Sequence, residues 1–353
     1  SGYLRHHHLF NINLWYNSSF FQNKNLKYDN NFDKYSYRFI YNTNLDNISL
    51  NSRININTEF IAGLHKNKIS LEKSDIKRKN KISISFLSLY RTNQNYLLIN
   101  QWEKNKMNNR IDIGIEHNYK YLNVKGKVKI QLQSSSLSSN YDYQKLILSS
   151  LNNYKINKLK VNTRTFFQIG TGKKWAKESK LGLSGANNEE MMQSKFTRSE
   201  GIVSSDFYDY ENNTTLYHTS GGLNLRGYTG HVISNNNFSS NNLGISGGAL
   251  NTEIDFTSYL PYSIRKNKIS TYIFADAGII TDEKINKENY NDIFTSLLTD
   301  AGFGLTYTFN NFRPLEKVKP LIIRLDFPLY LNQENKTSNI NGVKCLIGIN
   351  RAF

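Results

Sequence analysis

Apolar and polar side chains alternate strictly over stretches of about ten residues, again and again, along this 353-residue chain. In an extended strand successive side chains point to opposite faces, so such a stretch has one apolar and one polar face. Phe10, Ile12, Leu14 and Tyr16 alternate with Asn11, Asn13 and Trp15, and Tyr37, Phe39 and Tyr41 continue the pattern. Ile54, Ile56 and Phe60 oppose Arg53, Asn55, Asn57 and Glu59, and Ile82, Ile84 and Phe86 oppose Lys81, Ser83 and Ser85. Between these two, Lys66 to Asn80 reads as a charged loop. Ile111, Ile113 and Ile115 then oppose Asp112, Gly114 and Glu116, and Val128, Ile130 and Leu132 oppose Lys127, Lys129, Gln131 and Gln133. Tyr141 to Leu151 is less regular, before Val161, Phe167 and Ile169 oppose Asn162, Arg164, Phe166 and Gln168.

Five clear strands follow residue 244. Their polar faces carry Asn251, Glu253 and Asp255; Tyr272, Phe274, Asp276 and Gly278; Asp300, Gly302, Gly304 and Thr306; Arg324 and Asp326; and Lys344, Leu346 and Gly348. A soluble sandwich can use the same alternation, but one this large has edges to protect. A closed barrel with lipid outside and polar groups inside has none. Tyr and Phe abundance, with aromatics at 13% of residues, fits interfacial girdles. The expected fold is all-β: a closed antiparallel transmembrane β-barrel, in one domain spanning residues 1–353. About eight segments before residue 173 and five after 244 make thirteen, whereas single-chain bacterial barrels use even numbers. The expected count is about 14, within 12–16, with the missed strand sought near Leu97 to Trp102. No run of 18 apolar residues exists, so no transmembrane helix is expected.

Net charge is +17, yet there is no basic helix and no compact Lys/Arg block with interleaved aromatics, so no nucleic-acid partner is expected. A single cysteine, Cys345, excludes an intrachain disulfide framework and a Cys-based zinc site. It lies on the apolar side of the last strand as a small hydrophobe. His6, His7 and His8 point different ways in a strand. His117, His218 and His231 have no Cys or carboxylate at ligand spacing, so no metal or other cofactor is expected. Asp112 with Glu116, and Glu253 with Asp255, read as lining charges rather than an acid/base pair. Ser184 and Ser246 lack a Gly-x-Ser-x-Gly elbow, so no catalytic residue is assigned and this chain is not expected to be an enzyme.

Residues 174–244 break the rhythm. Irregular stretches of this length are usually functional or disordered. This one carries Leu183-Ser184-Gly185-Ala186-Asn187, Glu190-Met191-Met192, Lys195-Phe196-Thr197-Arg198 and Gly221-Gly222-Leu223-Asn224-Leu225-Arg226-Gly227-Tyr228, so part of it is expected to fold back and pack.

Leu225-Arg226-Gly227-Tyr228 resembles the element in the sixth extracellular loop of BamA-type outer-membrane barrels, and Phe274-Ala275-Asp276-Ala277-Gly278 resembles that superfamily's F-x-D-x-G strand motif. The resemblance implies a loop that enters the barrel lumen, with Arg226, Gly227 and Tyr228 as a latch. Asp276 and Glu253 would be its acidic partners, Phe274 and Gly278 the strand motif, and Phe353 the C-terminal barrel signal. It covers residues 174–353 well and the first half only as generic alternation.

A narrower resemblance, which adds Arg324-Leu325-Asp326-Phe327-Pro328, is to the C-terminal barrels of Bacteroidetes proteins with an upstream aminopeptidase-N-type zinc metallopeptidase domain. The chain opens on Ser1 and is expected to be the C-terminal piece of a longer protein. It has no His-Glu-x-x-His of its own. The implied function is a membrane anchor or translocation domain in the outer membrane of a Gram-negative, Bacteroidetes-like bacterium. The alternatives are a stand-alone assembly or secretion translocator, a passive pore, and an enzyme working in the lumen. The implied partners are outer-membrane lipid and lipopolysaccharide, the barrel assembly machinery, and a peptidase domain or a translocated polypeptide.

Overall fold

The computed structural model of the chain describes residues 8–16, 35–45, 49–61, 63–92, 102–135, 138–192, 217–229, 243–261, 268–281, 295–309, 321–332 and 345–349. Fourteen strands of these form one antiparallel sheet in which each lies beside the next large strand in sequence. They are β1 (His8–Tyr16), β2 (Tyr35–Asn44), β3 (Ser52–Ile61), β4 (Leu64–Ser74), β5 (Asn80–Arg91), β6 (Met107–Tyr121), β7 (Val124–Ser135), β8 (Asp142–Ile156) and β9 (Leu159–Lys174). After two short strands, β10 (Leu181–Gly182) and β11 (Leu243–Gly244), which pair only with each other, come β12 (Gly247–Asp255), β13 (Ile269–Ile280), β14 (Leu298–Thr308), β15 (Ile322–Leu331) and β16 (Leu346–Ile349). β9 pairs directly with β12, so residues 175–246 leave the sheet and return to it.

The period-2 pattern sorts the two faces as the alternation requires. Ile111, Ile113, Ile115, Ile130, Leu132, Phe167, Ile169, Leu250, Ile273 and Phe303 all stand exposed on the outer face. Cross-strand aromatic contacts line that face, with Phe10 4.6 Å from Tyr41 and Phe303 4.7 Å from Phe327 between ring centroids. Asp112, Gln133, Gln168, Asn251, Glu253, Asp276, Asp300, Arg324 and Asp326 are buried on the inner face.

One end of the sheet carries two-residue turns. Leu122 (φ 46°) and Asn157 (φ 53°) adopt the left-handed conformation that tight hairpins require. The connection from β9 to β12 leaves from the opposite end, where Ile61 of β3 and Leu64 of β4 are also joined by two residues.

The fourteenth strand lies elsewhere than expected. Lys66–Ser74 is not a loop but most of β4, paired residue for residue with β3 and β5. Its charges hid it. Lys66, Lys68 and Glu72 occupy the inner face, and only Ile69 and Leu71 are left as an outer apolar signal. Trp102 is a buried bend residue outside any strand, and Leu97 to Gln101 lie outside the described residues. The irregular-looking stretch from Tyr141 to Leu151 belongs to the 15-residue β8, whose one irregularity is a register shift between Asp142 and Gln144. Closure differs too. Among the described residues β1 pairs with β2 alone, and β16, four residues long, pairs with β15.

Candidate functional site: a loop segment held on the inner face

Two pieces of the 175–246 connection pack against the inner face and against each other. The first, residues 175–192, contains the short helix α1 (Asn188–Met191), which begins on a capping box. Asn187 Oδ1 accepts from the Glu190 amide at 2.9 Å, and Glu190 Oε2 accepts from the Asn187 amide at 3.0 Å. The second, residues 217–229, is stitched to it by backbone bonds. Leu223 N–H donates to Gly182 (2.9 Å), Leu225 N–H to Leu183 (3.1 Å) and Ala186 N–H to Thr219 (2.9 Å). Glu190 Oε2 also accepts from the Gly222 amide at 3.2 Å.

Arg226–Tyr228 form one turn of 3-10 helix that points Arg226 into the sheet. Register sets up its receptor. Asn251 of β12 stands opposite Asp276 of β13, Asp276 opposite Asp300 of β14, and Gly304 of β14 opposite Asp326 of β15. Arg226 Nε donates to Asp276 Oδ2 (2.9 Å) and Nη2 to Asp276 Oδ1 (3.2 Å), a bidentate fork. Nη1 donates to Glu253 Oε1 (2.8 Å) and lies 4.0 Å from Asp326 Oδ1. The guanidinium sits 4.3 Å above the Phe274 ring, which adds a cation–π contact. Arg226 and Asp276 are fully shielded from solvent.

Close approach explains two glycines. A Cβ on Gly227 would come within 2.7 Å of the Asp300 Cβ and 2.9 Å of its Cγ. One on Gly278 would meet the Gly248 carbonyl at 2.9 Å and Leu225 Cδ1 at 3.3 Å. Tyr228 donates to Asn332 Oδ1 (2.7 Å), and its ring is buried with Leu181, Leu183, Leu223, Leu225, Ile280 and Leu298. Asn251 ties the strand to the loop, donating to Asp276 Oδ1 (3.2 Å) and to the Leu223 (3.2 Å) and Asn224 (3.1 Å) carbonyls. Arg164 of β9 donates to Asn251 Oδ1 (2.9 Å) and to the Gly222 carbonyl (2.6 Å).

A second polar cluster was not foreseen. Arg110 of β6 forks onto Glu189 of α1 and also donates from Nε to Asp112 Oδ1 at 2.8 Å. Ser179 Oγ donates to Glu189 Oε2 (2.8 Å), and Lys145 Nζ of β8 donates to the Ser179 carbonyl (2.8 Å). Asn108 Nδ2 donates to Glu178 Oε1 (2.8 Å), and Tyr143 Oη to Asn108 Oδ1 (3.0 Å), while Tyr143 stacks on Trp175 with centroids 4.8 Å apart. Burial works against the Glu189 charge, but the Arg110 guanidinium outweighs it and holds that carboxyl down at about 2. Glu178 has no such cation, and burial pushes its carboxyl up to about 7. The readable part of this signal was Arg110 in register with Asp112 on one face. No spacing rule connects it to Glu189, 79 residues away.

The remaining candidates are placed as follows. Glu116 pairs with Lys127 of the neighbouring β7 (2.8 Å) and Asp112 with Arg110 of its own strand, so both carboxylates are engaged within the wall. His218 is buried, with Nε2 2.9 Å from the Ser184 carbonyl and Nδ1 taking a bond from Arg324. Ser246 Oγ accepts from the Gly170 amide at 2.9 Å. Cys345 is half-buried beside β16. His6, His7, His231, Lys195 to Arg198 and Phe353 lie outside the described residues. Chemically the arrangement sets charge against charge across a peptide segment and the wall that holds it.

Neither a known protein family nor any curated protein matches the chain. Among solved structures it is similar to BamA from Haemophilus ducreyi lacking POTRA domains 1–3, at 11% identity and a TM-score of 0.49, covering 97% of this chain and 69% of that one. It is similar to CdiB from Acinetobacter baumannii at 10% identity and a TM-score of 0.37, covering 92% of this chain and 56% of that one. A bacterial polysaccharide outer membrane secretin follows at 9% identity and a TM-score of 0.29, covering 84% of both chains.

Proposed function

We propose that the chain is an outer-membrane β-barrel whose lumen receives residues 175–192 and 217–229 of its own chain, and that it works as a membrane anchor and translocation domain. One observation carries the reading. Fourteen neighbouring antiparallel strands of one sheet expose their apolar residues on the outer face and bury charged residues on the inner one. Water would penalise that outer face, and lipid would solvate it. In this reading Arg226, Gly227 and Tyr228 are the latch of the loop, Asp276 and Glu253 its acidic receptor, and Phe274 and Gly278 the surfaces that let it seat.

The packed inner face argues against a passive open pore. Leu223, Leu225 and Tyr228 are completely buried, and the loop reaches inner-face side chains of β6, β8, β9, β12 and β13. Lipid and lipopolysaccharide are the surroundings this outer face suits, and the barrel assembly machinery is the route into them. The specific form of the anchor reading is attachment to an upstream zinc metallopeptidase domain, which rests on the resemblance of the segments 183–187, 190–192, 195–198, 221–228 and 324–328 to such barrels.

The test is fractionation of the expressed chain with a signal peptide in a Gram-negative host. The expected result is a carbonate-resistant outer-membrane protein whose gel mobility shifts on heating. In planar bilayers it should show little or no steady conductance. A soluble, non-shifting protein or a large steady open state would overturn the reading. The residues encoded before Ser1 test the peptidase attachment directly.

A further inference from the structure

The end of the sheet away from the 175–246 connection is a rim of hairpin tips. β4 passes into β5 through residues 75–79, β6 into β7 through 122–123, and β8 into β9 through 157–158. Each tip is basic. Lys77, Arg78 and Lys79 stand exposed on the first, Lys120 and Lys125 flank the second, and Lys155, Lys158 and Lys160 surround the third. The acidic residues beside the first two tips are already engaged. Asp75 accepts from the Lys79 amide (2.6 Å) and from Asn80 Nδ2 (2.9 Å), Glu72 pairs with Lys81 (2.9 Å), and Glu116 pairs with Lys127 (2.8 Å). Among the described residues no carboxylate forms an ion pair with these rim cations.

Each tip is also apolar. Ile76 and Leu122 are 86% and 80% exposed, about twice the 42% of Ile111 and Ile113 on the outer wall, and Tyr121 and Ile156 are exposed beside them. The pattern continues past β9: Tyr259, after β12, is exposed, with Lys158 Nζ 6.0 Å from its ring centroid. The rim is also continuous with the outer apolar wall, because on β4 the exposed Ile69 and Leu71 are followed on the same face by exposed Lys73.

A single exposed Ile or Leu is ordinary. The same pairing at three successive tips points to an interface that is apolar on one side and anionic on the other. There a Lys or Arg lays its stem along apolar surface and sets its cation at the headgroup phosphates. A folded acidic partner would cover one arc of the rim, whereas lipid surrounds a barrel and meets each tip in turn. Outer-membrane barrels keep their longer loops outside, so this end borders the leaflet that faces the periplasm.

We infer that the rim formed by the β4–β5, β6–β7 and β8–β9 tips docks anionic glycerophospholipid, with Ile76, Leu122 and Ile156 entering at the level of the glycerol and the flanking Lys and Arg on the phosphates. The rim selects its lipid by charge and fixes the depth at which the barrel sits. The inference rests on the reading of the sheet as a membrane barrel.

The test uses the full chain in phosphatidylcholine vesicles, with Tyr121→Trp or Ile156→Trp as a reporter at a tip. Brominated phosphatidylglycerol or brominated phosphatidylcholine is added, and quenching beyond that of the parent chain gives the relative affinity of each lipid for the rim. Only folded, heat-modifiable preparations are compared. The expected result is a preference of about fivefold or more for phosphatidylglycerol at low salt. Lys120→Gln/Lys125→Gln on the first reporter, or Lys155→Gln/Lys158→Gln/Lys160→Gln on the second, should bring that ratio to about one. Lys173→Gln/Lys174→Gln at the opposite end should leave it unchanged. Equal quenching by the two lipids, or a preference that survives neutralisation of the tips, would overturn the inference. Relief of quenching by lipopolysaccharide but not by unlabelled phosphatidylglycerol would overturn it by placing the rim in the other leaflet. Tips that show no lipid preference but bind soluble polyglutamate would overturn it in favour of an acidic protein partner. Failure of the chain to enter vesicles in a heat-modifiable form would overturn the barrel reading instead.

Discussion

Replacing Arg226 by alanine removes one cation from a site where it faces Asp276, Glu253 and, at 4.0 Å, Asp326. What remains is a set of carboxylates buried at 3% exposure or less, with Arg324 as the nearest other guanidinium, already engaged by Asp326. The net worth of an intact buried ion pair is small, because both ions are desolvated to form it. Breaking one is costly, because the survivor stays buried without its partner. Loss of about 3–5 kcal/mol is the expected scale. Arg226→Lys keeps the charge but cannot span Asp276 and Glu253 with a fork, and should cost about 1–3 kcal/mol through lost charge-assisted bonds. Adding Asp276→Asn to Arg226→Ala should recover part of the loss, since the uncompensated charge goes with it. Guanidinium unfolding in detergent micelles, followed by tryptophan fluorescence, reads the stabilities, and limited proteolysis within 193–216 reads loop release. The reasoning fails if Arg226→Ala unfolds within about 0.5 kcal/mol of the parent with unchanged cleavage, or if Arg226→Ala/Asp276→Asn is worse than the sum of its parts.

Gly227→Ala should destabilise the seated loop although it removes no contact, because the added methyl meets Asp300 at 2.7 Å; proteolysis within 193–216 should accelerate, as is expected for Arg226→Ala. Leu223→Ala opens a hole among fully buried loop and wall residues and should cost about 2–5 kcal/mol in the same unfolding assay. Glu189→Ala leaves the buried Arg110 guanidinium with Asp112 as its carboxylate partner and should release the 175–192 segment, seen as faster hydrogen exchange there, while leaving exchange in β14 unchanged. Glu178 gives a pH signature: its folded value of about 7 lies above the ordinary carboxylate value of 4.5, so its favourable contribution is complete below pH 4.5 and is lost as pH rises through 7. The swing is on the order of 3 kcal/mol, and Glu178→Gln should flatten stability across that window.

Most of the wall was legible because a strand's period is short and local. Which face Asp276, Glu253 or Gln133 occupies follows from the parity of a single segment, with no knowledge of its neighbours. β4 escaped for a related reason: with lysines and a glutamate inside, its outer apolar signal shrinks to Ile69 and Leu71. An inner-face charge is unremarkable for a strand that lines a polar interior, so overall polarity is a poor guide there. The loop was legible only where a resemblance supplied a partner, as for Arg226 and Asp276. Arg110 meeting Glu189, or His218 meeting Ile347, depends on how the connection crosses the interior, and no local period encodes that.

The charges that periodicity could not relate explain why the loop seats in one orientation. The β12–β15 wall presents Glu253, Asp276 and Asp326, against which Arg324 is the one buried cation among the described residues there, whereas the β6–β8 side presents Arg110 and Lys145 with Asp112 between them. The connection carries the complement of each: Arg226 in its second piece, Glu189 in its first. Because Leu223 and Leu225 bond to Gly182 and Leu183, the two pieces move as one body. Turning that body around would set Arg226 before Arg110 and Glu189 before Asp276, burying like charges against each other on both sides. Apolar contacts such as those of Leu223 and Leu225 favour burial of the loop but discriminate weakly among orientations. Charge pairs add little to the depth of the seated state and a large penalty to the reversed one, so they serve as the key that makes one seating the only stable one.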